Sequence, residues 1–386
     1  MLQLLEGLFN GISIGSVLLI AALGLAIVFG LMGVINLAHG ELMMLGAYST
    51  FVVQEGFQAL PEPLFNLYIL FALPVAFLVA ALAGLLLERG VIRFLYGRPL
   101  ETLLATWGVS LILQQLVRSV SWSLALAIVG FCALFFGAMQ LVKHSVDGER
   151  ILKLATAIIL PLSLGIAIAT AILLAKIPVL GKAWFSARNV DVTAPAWLRG
   201  GLPLGSFQVP YIRLFIILLT IICLLVTYWF LQYSRWGLRI RSVTQNRSMS
   251  ACLGIPTARV DALTFALGSG LAGIAGCAIS LLGSVGPNTG QNYIVDTFMV
   301  VVVGGVGNLL GTILAALAIG IINYLIGSGT LALLSSSVTA LKPLTDIFTF
   351  FATTSMAKVM IFALIIAFLQ VKPAGIFPPK GRAAEL

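Results

Sequence analysis

The sequence has few charged residues for its length. Only 9% of its 386 residues are Asp, Glu, Lys or Arg, whereas 60% are hydrophobic, and the mean hydropathy is +1.11. A soluble globular domain carries roughly 25% charged residues, so a water-soluble enzyme is excluded. The apolar runs are about 20 residues long, as membrane-spanning helices require, and they lack the alternation of barrel strands. The sequence therefore predicts an all-α polytopic membrane protein.

The motifs of several enzyme classes are also absent from the sequence. It contains no G-x-x-x-x-G-K-[ST] loop for ATP, no H-E-x-x-H motif and only two histidines, His39 and His144. The four cysteines lack C-x-x-C spacing and fit small packing residues better than metal ligands or disulfides. We therefore expect a chain that is not an enzyme and holds neither cofactor nor metal. Its net charge of +9 comes from short basic loops, which argues against nucleic-acid binding.

Basic residues in the connections between apolar runs predict the topology. They cluster at 89–98, 143–153 and 235–259 and in the tail, and the positive-inside rule assigns such loops to the cytoplasm. Even numbers of runs separate the first three loops, so one orientation fits them all, with the N-terminus outside and the C-terminus cytoplasmic. We expect about 10 to 11 transmembrane segments, from the apolar runs 9–32, 37–54, 64–87, 101–120, 122–142, 152–175, 211–232, 260–283, 294–327 and 357–371.

The run 294–327 is interrupted by small residues. Each glycine weakens a helix interior by about 1 kcal/mol, and a single crossing here would leave the basic tail outside. We therefore predict two shorter segments with a hinge between them. Because broken helices often flank transport paths, the candidate pathway residues are Gly304, Gly305, Gly307 and Asn308, with Asp296 near the outer start of the run. Close helix packing at the glycines, and a surface position for Asp296, are the alternatives.

A second candidate pathway segment joins the first two apolar runs with almost no polar spacer. It contains Asn36, His39 and Glu41. Polar groups at a bend in the membrane are costly unless they are satisfied, so they indicate a function by default. The structural alternative is that Asn36 or His39 caps the next helix and that Glu41 favours its positive end. The two interpretations do not exclude each other.

The loop 235–259 contains the signature of a short helix. Thr244 is predicted to cap a helix that runs to Leu253, and Gly254 and Pro256 end it. Positive-inside arginines alone do not explain this ending, whereas a short helix outside the membrane suits docking into the groove of a partner. The predicted docking segment comprises Thr244, Gln245, Asn246, Arg247, Met249, Ala251, Cys252, Leu253, Gly254, Ile255 and Pro256.

This loop resembles the coupling motif of ABC-importer permeases. The run GVINLAHGELMMLG at 33–46 resembles the branched-chain amino-acid and urea permease family. Three further motifs are most similar to the urea-type permease: TQNR at 244–247, ACLGIPTARVD at 251–261 and GGVGN at 304–308. The resemblance covers about 1–120 and 184–380 of a single permease domain, 1–386. The stretch between them, about 121–183, departs from the pattern and is predicted to be an insert of two additional spans.

The resemblance implies an ABC permease bundle with glycine-broken helices in the bacterial inner membrane. It also implies a second, related permease subunit, two cytoplasmic ATPases that bind ATP and Mg²⁺, and an external or periplasmic substrate-binding protein. Urea is the expected substrate, for which Asn36 and Asn308 would supply hydrogen bonds; branched-chain amino acids and short amides are the alternatives. An autonomous channel or secondary carrier is disfavoured because the spans contain few charged residues.

Overall fold

The computed structural model describes residues 2–59, 61–145, 149–177, 184–185, 188–204, 207–330, 333 and 349–377. The chain forms two compact units, Met1–Ser110 with Val190–Leu386, and Leu111–Asn189. The helices are α1 (Leu2–Met32), α2 (His39–Phe57), α3 (Glu62–Phe65), α4 (Tyr68–Gly90), α5 (Pro99–Ser119), α6 (Trp122–Ser145), α7 (Glu149–Ala175), α8 (Tyr211–Tyr233), α9 (Arg235–Gln245), α10 (Arg247–Cys252), α11 (Thr257–Leu282), α12 (Thr289–Gly304), α13 (Leu309–Gly327) and α14 (Thr354–Val371), with 3₁₀ turns at Ile92–Phe94 and Ala196–Leu198.

The polytopic all-α class is confirmed. Within the described residues, eight helices are long and apolar enough to cross a membrane. They correspond to α1, α3 with α4, α5, α6, α7, α8, α11 and α13, while α2, α12 and α14 are further helices of the first unit. The orientation of the two termini stays a prediction.

Helices α1 and α11 form the centre of the first unit. The most apolar stretches of these two helices are 83% and 78% buried. Helix α11 packs against α1, α2 and α4 through a face of small residues. A side chain at Gly276 would collide with the carbonyl oxygen of Met43 in α2, and one at Gly273 with that of Ala76 in α4. Close contact between backbones therefore holds these helices together, as small residues permit in membranes.

The predicted interruption of 294–327 is confirmed. Helix α12 ends at Gly304 and α13 begins at Leu309. In the turn between them, Gly305 has φ +99° and Gly307 φ +83°, values that glycine adopts without steric cost. The Asn308 Oδ1 then caps α13 by accepting from the amides of Leu310 (3.1 Å) and Gly311 (3.3 Å).

The second unit contains α6 and α7, which pack against each other. Their most apolar stretches are only 12% and 11% buried. The Trp184 amide donates to the Val120 carbonyl at 2.9 Å, and the rings of Trp122 and Trp184 meet edge to face. The two ends of the predicted insert thus lie side by side. That 121–183 is an addition to a family-like core stays a prediction.

One connection has structure that the sequence did not predict. The connection before α8 contains an antiparallel hairpin, β1 (Gly201–Leu204) with β2 (Phe207–Pro210), in which Gly201 pairs with Pro210. Val190, ahead of the hairpin, forms a bridge with Val285. The semi-polar stretch 328–356 falls mostly outside the described residues.

Candidate functional site

The first candidate site is the short helix α10 between α9 and α11. A single helix from Thr244 to Leu253 was predicted, but the chain breaks at Asn246, which has φ −152°. The Asn246 Oδ1 accepts from the Met249 amide at 3.0 Å and so caps α10. The prediction that Thr244 is the cap is wrong because its hydroxyl donates to the Ile240 carbonyl of its own helix, at 2.8 Å. Threonine often makes this bond within a helix.

Gly254 ends α10, as predicted. Its φ is +80°, and its amide donates to the Ala251 carbonyl at 3.0 Å. The Ile255 amide donates to the Ser250 carbonyl at 3.1 Å. Glycine in the left-handed conformation commonly ends helices in this way. Pro256 follows directly, and α11 starts at Thr257.

Helix α10 presents apolar side chains to its surroundings. Met249 is 58% and Leu253 76% exposed, and Cys252 is exposed as well. We call Met249, Cys252 and Leu253 the coupling surface. Behind it, Ile240 and Val243 of α9 are buried in a cluster that also includes Leu231, Val260 and Leu309. The buried cluster fixes the base of the segment, so the coupling surface is free to contact a partner.

A polar network connects α10 to the bundle. The Arg247 Nη2 lies 2.5 Å from Oδ2 of Asp261 in α11, and the guanidinium carbon lies 4.8 Å from the ring centroid of Tyr96. The Tyr96 hydroxyl donates to Oε1 of Glu88 at 3.1 Å. Burial, followed by the carboxylates of Asp261 and Glu88, raises the pKa of Tyr96. The hydroxyl therefore stays protonated and keeps its role as a donor.

The second candidate site is the break between α1 and α2. His39 is fully buried, and its Nε2 lies 3.0 Å from the Ala21 carbonyl oxygen, which can only accept. The Asn36 Oδ1 accepts from the Ala38 amide at 3.1 Å. Asn36 thus stabilises the turn before α2, whereas His39 does not cap the helix. Among the described residues, the His39 Nδ1 and the Asn36 Nδ2 have no hydrogen-bond partner.

Glu41 lies where two helices begin. It is 1% exposed in the first turn of α2, and its Oε1 accepts from the Ser110 hydroxyl at 3.0 Å. A side chain at Gly290, in the first turn of α12, would lie 2.7 Å from the Glu41 Oε2 and would collide with the Gly40 backbone. The positive N-terminal ends of α2 and α12 therefore converge on this carboxylate. Discontinuous helices of transporters present their ends to a substrate in this manner.

The residues of α5 that face this break were missed. Thr106 and Ser110 are both buried. The Leu37 amide donates to the Thr106 Oγ1 at 3.2 Å. Together with the hydrogen bond from Ser110 to Glu41, this gives α5 two contacts with the break. Their spacing of four residues in an otherwise apolar run is the signal that could have identified them, since such residues share one face of a helix.

The predicted pathway residues do not form one group. Gly304, Gly305, Gly307 and Asn308 lie at the far end of α12 from Gly290, about 21 Å along the helix. There a segment beyond α14 joins them: the Ile376 amide donates to the Val303 carbonyl at 2.8 Å and the Phe377 amide to the Gly304 carbonyl at 3.4 Å. The oxygen of Asn308, expected to bind substrate, is occupied as a helix cap.

Asp296 is not the surface residue of the alternative prediction, and its place in the pathway stays a prediction. It lies in the middle of α12 and is 7% exposed. The Lys358 Nζ lies 3.0 Å from the Asp296 Oδ2 and donates to the Asn292 carbonyl at 3.4 Å. A salt bridge between α12 and α14 satisfies both groups.

The expectation of spans almost free of charge is also wrong in part. Glu41, Glu88 and Asp296 are buried within helices. No group of three or more His, Cys, Asp or Glu side chains within the described ranges could hold a metal ion.

Comparisons with known proteins match nearly the whole chain. The family model described as "Branched-chain amino acid transport system / permease component" matches residues 7–125 and 122–369. The high-affinity branched-chain amino acid transport system permease protein LivH of Escherichia coli K12 is 26% identical over 377 residues, 97% of this chain and 96% of LivH.

Two further relatives differ in coverage. The permease protein BraD of the same kind of system in Pseudomonas aeruginosa is 24% identical over 328 residues, 82% of this chain and 84% of BraD. The ribose import permease protein RbsC of Escherichia coli is 26% identical over 148 residues, 36% of this chain and 40% of RbsC. No solved structure matches.

Proposed function

The chain belongs to the branched-chain amino acid permease family, and we propose that it forms the membrane path through which an ABC importer takes up branched-chain amino acids. As a permease subunit it is a multi-pass inner-membrane protein and not an enzyme. The similarity to LivH and BraD over most of all three chains supports this substrate over urea.

The geometry around Glu41 is compatible with such a substrate. An amino acid is a zwitterion, with an ammonium and a carboxylate on one carbon. The buried Glu41 carboxylate would accept the ammonium group, with the Ser110 hydroxyl beside it. The converging N-terminal ends of α2 and α12 favour an anionic group. The negative charge of Glu41 and the positive ends of the two helices thus lie close together, beside Gly40 and Gly290.

An ABC permease works with ATPase and substrate-binding partners. We propose that two cytoplasmic ATPases, which carry ATP and Mg²⁺, contact the coupling surface, and that a second, related permease completes the path. An external binding protein would deliver the substrate. The exposed apolar surface of α10 carries this proposal, because apolar side chains on a fixed short helix suit insertion into a groove. Alternating access would then occur around the ends of α2 and α12.

Urea is the second candidate substrate. The buried neutral groups with unused hydrogen-bonding capacity among the described residues include the Asn36 Nδ2, the His39 Nδ1 and the Ser269 Oγ. Such groups suit a neutral polar molecule. The motifs at 244–247 and 251–261, which resemble urea-type permeases, favour the same substrate.

Uptake of labelled leucine and labelled urea in cells with and without the chain tests the function. We expect energy-dependent leucine uptake that is lost on deletion. Loss of urea uptake with leucine uptake intact would show that urea, and not a branched-chain amino acid, is the substrate. Uptake that needs the chain but survives ATP depletion would contradict an ABC importer.

The docking role has its own test, with a matched control. Gly254→Arg is expected to abolish uptake and co-purification of the ATPases while the protein stays in the membrane, because it distorts the end of α10. Gly200→Arg places the same side chain at another glycine of positive φ, +95° against +80°, in front of the hairpin. It should leave co-purification intact. Normal uptake by a well-expressed Gly254→Arg chain would contradict the docking role.

A further inference from the structure

Arg247 occupies a special place in α10, because its side chain contacts the bundle while the coupling surface faces outward. The guanidinium is half exposed (49%), whereas the Asp261 carboxylate that it meets is only 5% exposed. Within the described part of the chain, Arg247 is the only hydrogen-bond partner of the Asp261 carboxylate. Loss of the guanidinium would leave a buried charge without compensation.

Asp261 lies at the start of α11, one of the two helices at the centre of the first unit. Fifteen residues later, about 22 Å along α11, Gly276 lies against the Met43 carbonyl. Met43 is two residues from Glu41 in α2. Because the backbones touch, there is no room for α11 to shift without moving α2. A displacement of Asp261 is therefore passed along α11 to the neighbourhood of Glu41.

A second contact of Arg247 leads to α4. Its guanidinium stacks on Tyr96, whose hydroxyl is bonded to Glu88 in the last turns of α4. One side chain thus joins α10, α11 and the connection between α4 and α5. Arg259 differs although it lies in the same basic stretch, 235–259, since it is exposed and its side chain has no ion pair or hydrogen bond among the described residues.

We propose that Arg247 is a positioning residue that couples α10 to the path: through Asp261 and Tyr96 it passes the movement of α10 to α11 and α4. This proposal rests on the proposed function, because it takes α10 to be the contact with the ATPases. Arg247 neither touches substrate nor serves as the docking surface. Its effect is on how efficiently ATP hydrolysis is converted into transport.

The test uses the whole transporter, with its ATPases, second permease and binding protein, reconstituted in vesicles. Uptake of leucine and of urea is measured together with ATP hydrolysis. For Arg247→Gln we expect normal co-purification of the ATPases and normal hydrolysis without binding protein, but about tenfold less uptake per ATP hydrolysed. Arg247→Lys should be intermediate, because an ammonium can pair with Asp261 but cannot stack as a planar group on Tyr96.

Two further variants separate coupling from a general effect of charge. Asp261→Asn should reproduce the loss, and the double variant Arg247→Gln, Asp261→Asn should be no worse than either single one, since both act through one contact. The control, Arg259→Gln, removes the same charge from the same loop and should behave as the wild type.

Unchanged uptake per ATP in Arg247→Gln would overturn the proposal, as would an equal loss in Arg259→Gln. Loss of ATPase co-purification in Arg247→Gln would also overturn it, since Arg247 would then be a docking contact. If Arg247→Gln is not recovered from membranes, Arg247→Lys and Asp261→Asn decide by the same ratio. A wild-type chain that fails to co-purify with ATPases would instead reject the proposed function itself.

Discussion

The two units of the protein use similarly apolar helices in opposite ways. In the first unit α1 and α11 bury 83% and 78% of their most apolar stretches, whereas α6 and α7 of the second unit bury 12% and 11%. In the first unit backbones meet at Gly273 and Gly276. Among the described residues, by contrast, Gly130, Gly137 and Gly165 of the second unit have no neighbouring atom within 4 Å of a potential side chain. Hydrophobicity thus identifies a membrane-spanning helix but does not predict whether other helices bury it. Small residues are required only where the backbones of two helices touch.

The largest effect is expected from a methyl group at one of the tightest contacts of the first unit. In Gly276→Ala the added carbon would collide with the Met43 carbonyl, so α2 and α11 must separate. Overpacking of this kind costs about 3 kcal/mol. The thermal midpoint of the purified protein in detergent should fall, and uptake should fall with it. An unchanged midpoint would contradict the close packing of α2 and α11.

A smaller loss is expected from the salt bridge between Asp296 and Lys358 in the first unit. Asp296→Asn leaves the Lys358 ammonium without its carboxylate. Because the Lys358 side chain is 36% exposed, we expect a cost of about 1–2 kcal/mol in stability, below that of a fully buried pair. Thermal denaturation measures it. Asp296→Asn combined with Lys358→Gln should cost less than the sum of the single changes; strict additivity would indicate that the two groups do not interact.

Removal of α6 and α7 tests whether the exposed helices matter for transport. A deletion of 122–183 joins Ser121 to Trp184. These two residues are already close to each other, because the Trp184 amide donates to the carbonyl of Val120, the residue before Ser121. Two spans are removed, so the direction of the later helices is kept. Uptake should stay within about twofold of the wild type. Complete loss of uptake by a chain that reaches the membrane would show that transport requires α6 and α7.

The smallest effect, of opposite sign, is expected at Gly137 in α6. Gly137→Ala meets open space among the described residues and removes a flexible residue from a helix, so stability should rise by about 0.5–1 kcal/mol. It is the matched control for Gly276→Ala in the same denaturation assay. A fall in the midpoint would reveal a packing contact at α6.

Local signals in the sequence predicted the helices, the glycine break and the end of α10. They were sufficient because Gly254, Gly305 and Asn308 act on residues within a few positions of themselves. Thr244 was misassigned as a cap because Asn246, two residues later, can serve equally well. The contacts of Asp296 with Lys358 and of Tyr96 with Arg247 span 62 and 151 positions. The spacing of residues along the sequence does not predict such pairs, since they depend on which helices become neighbours.

The segment that follows α14 has a consequence for biosynthesis. The carbonyl groups of Val303 and Gly304, at the end of α12, are bonded to the amides of Ile376 and Phe377. These partners emerge from the ribosome some seventy residues later, about four to fourteen seconds at ordinary rates of synthesis. During that interval the end of α12 is incomplete, and unpaired carbonyls are costly in a bilayer. A chain that stops before Ile376 lacks these partners, so maturation of the bundle depends on residues that are translated well after α12 itself.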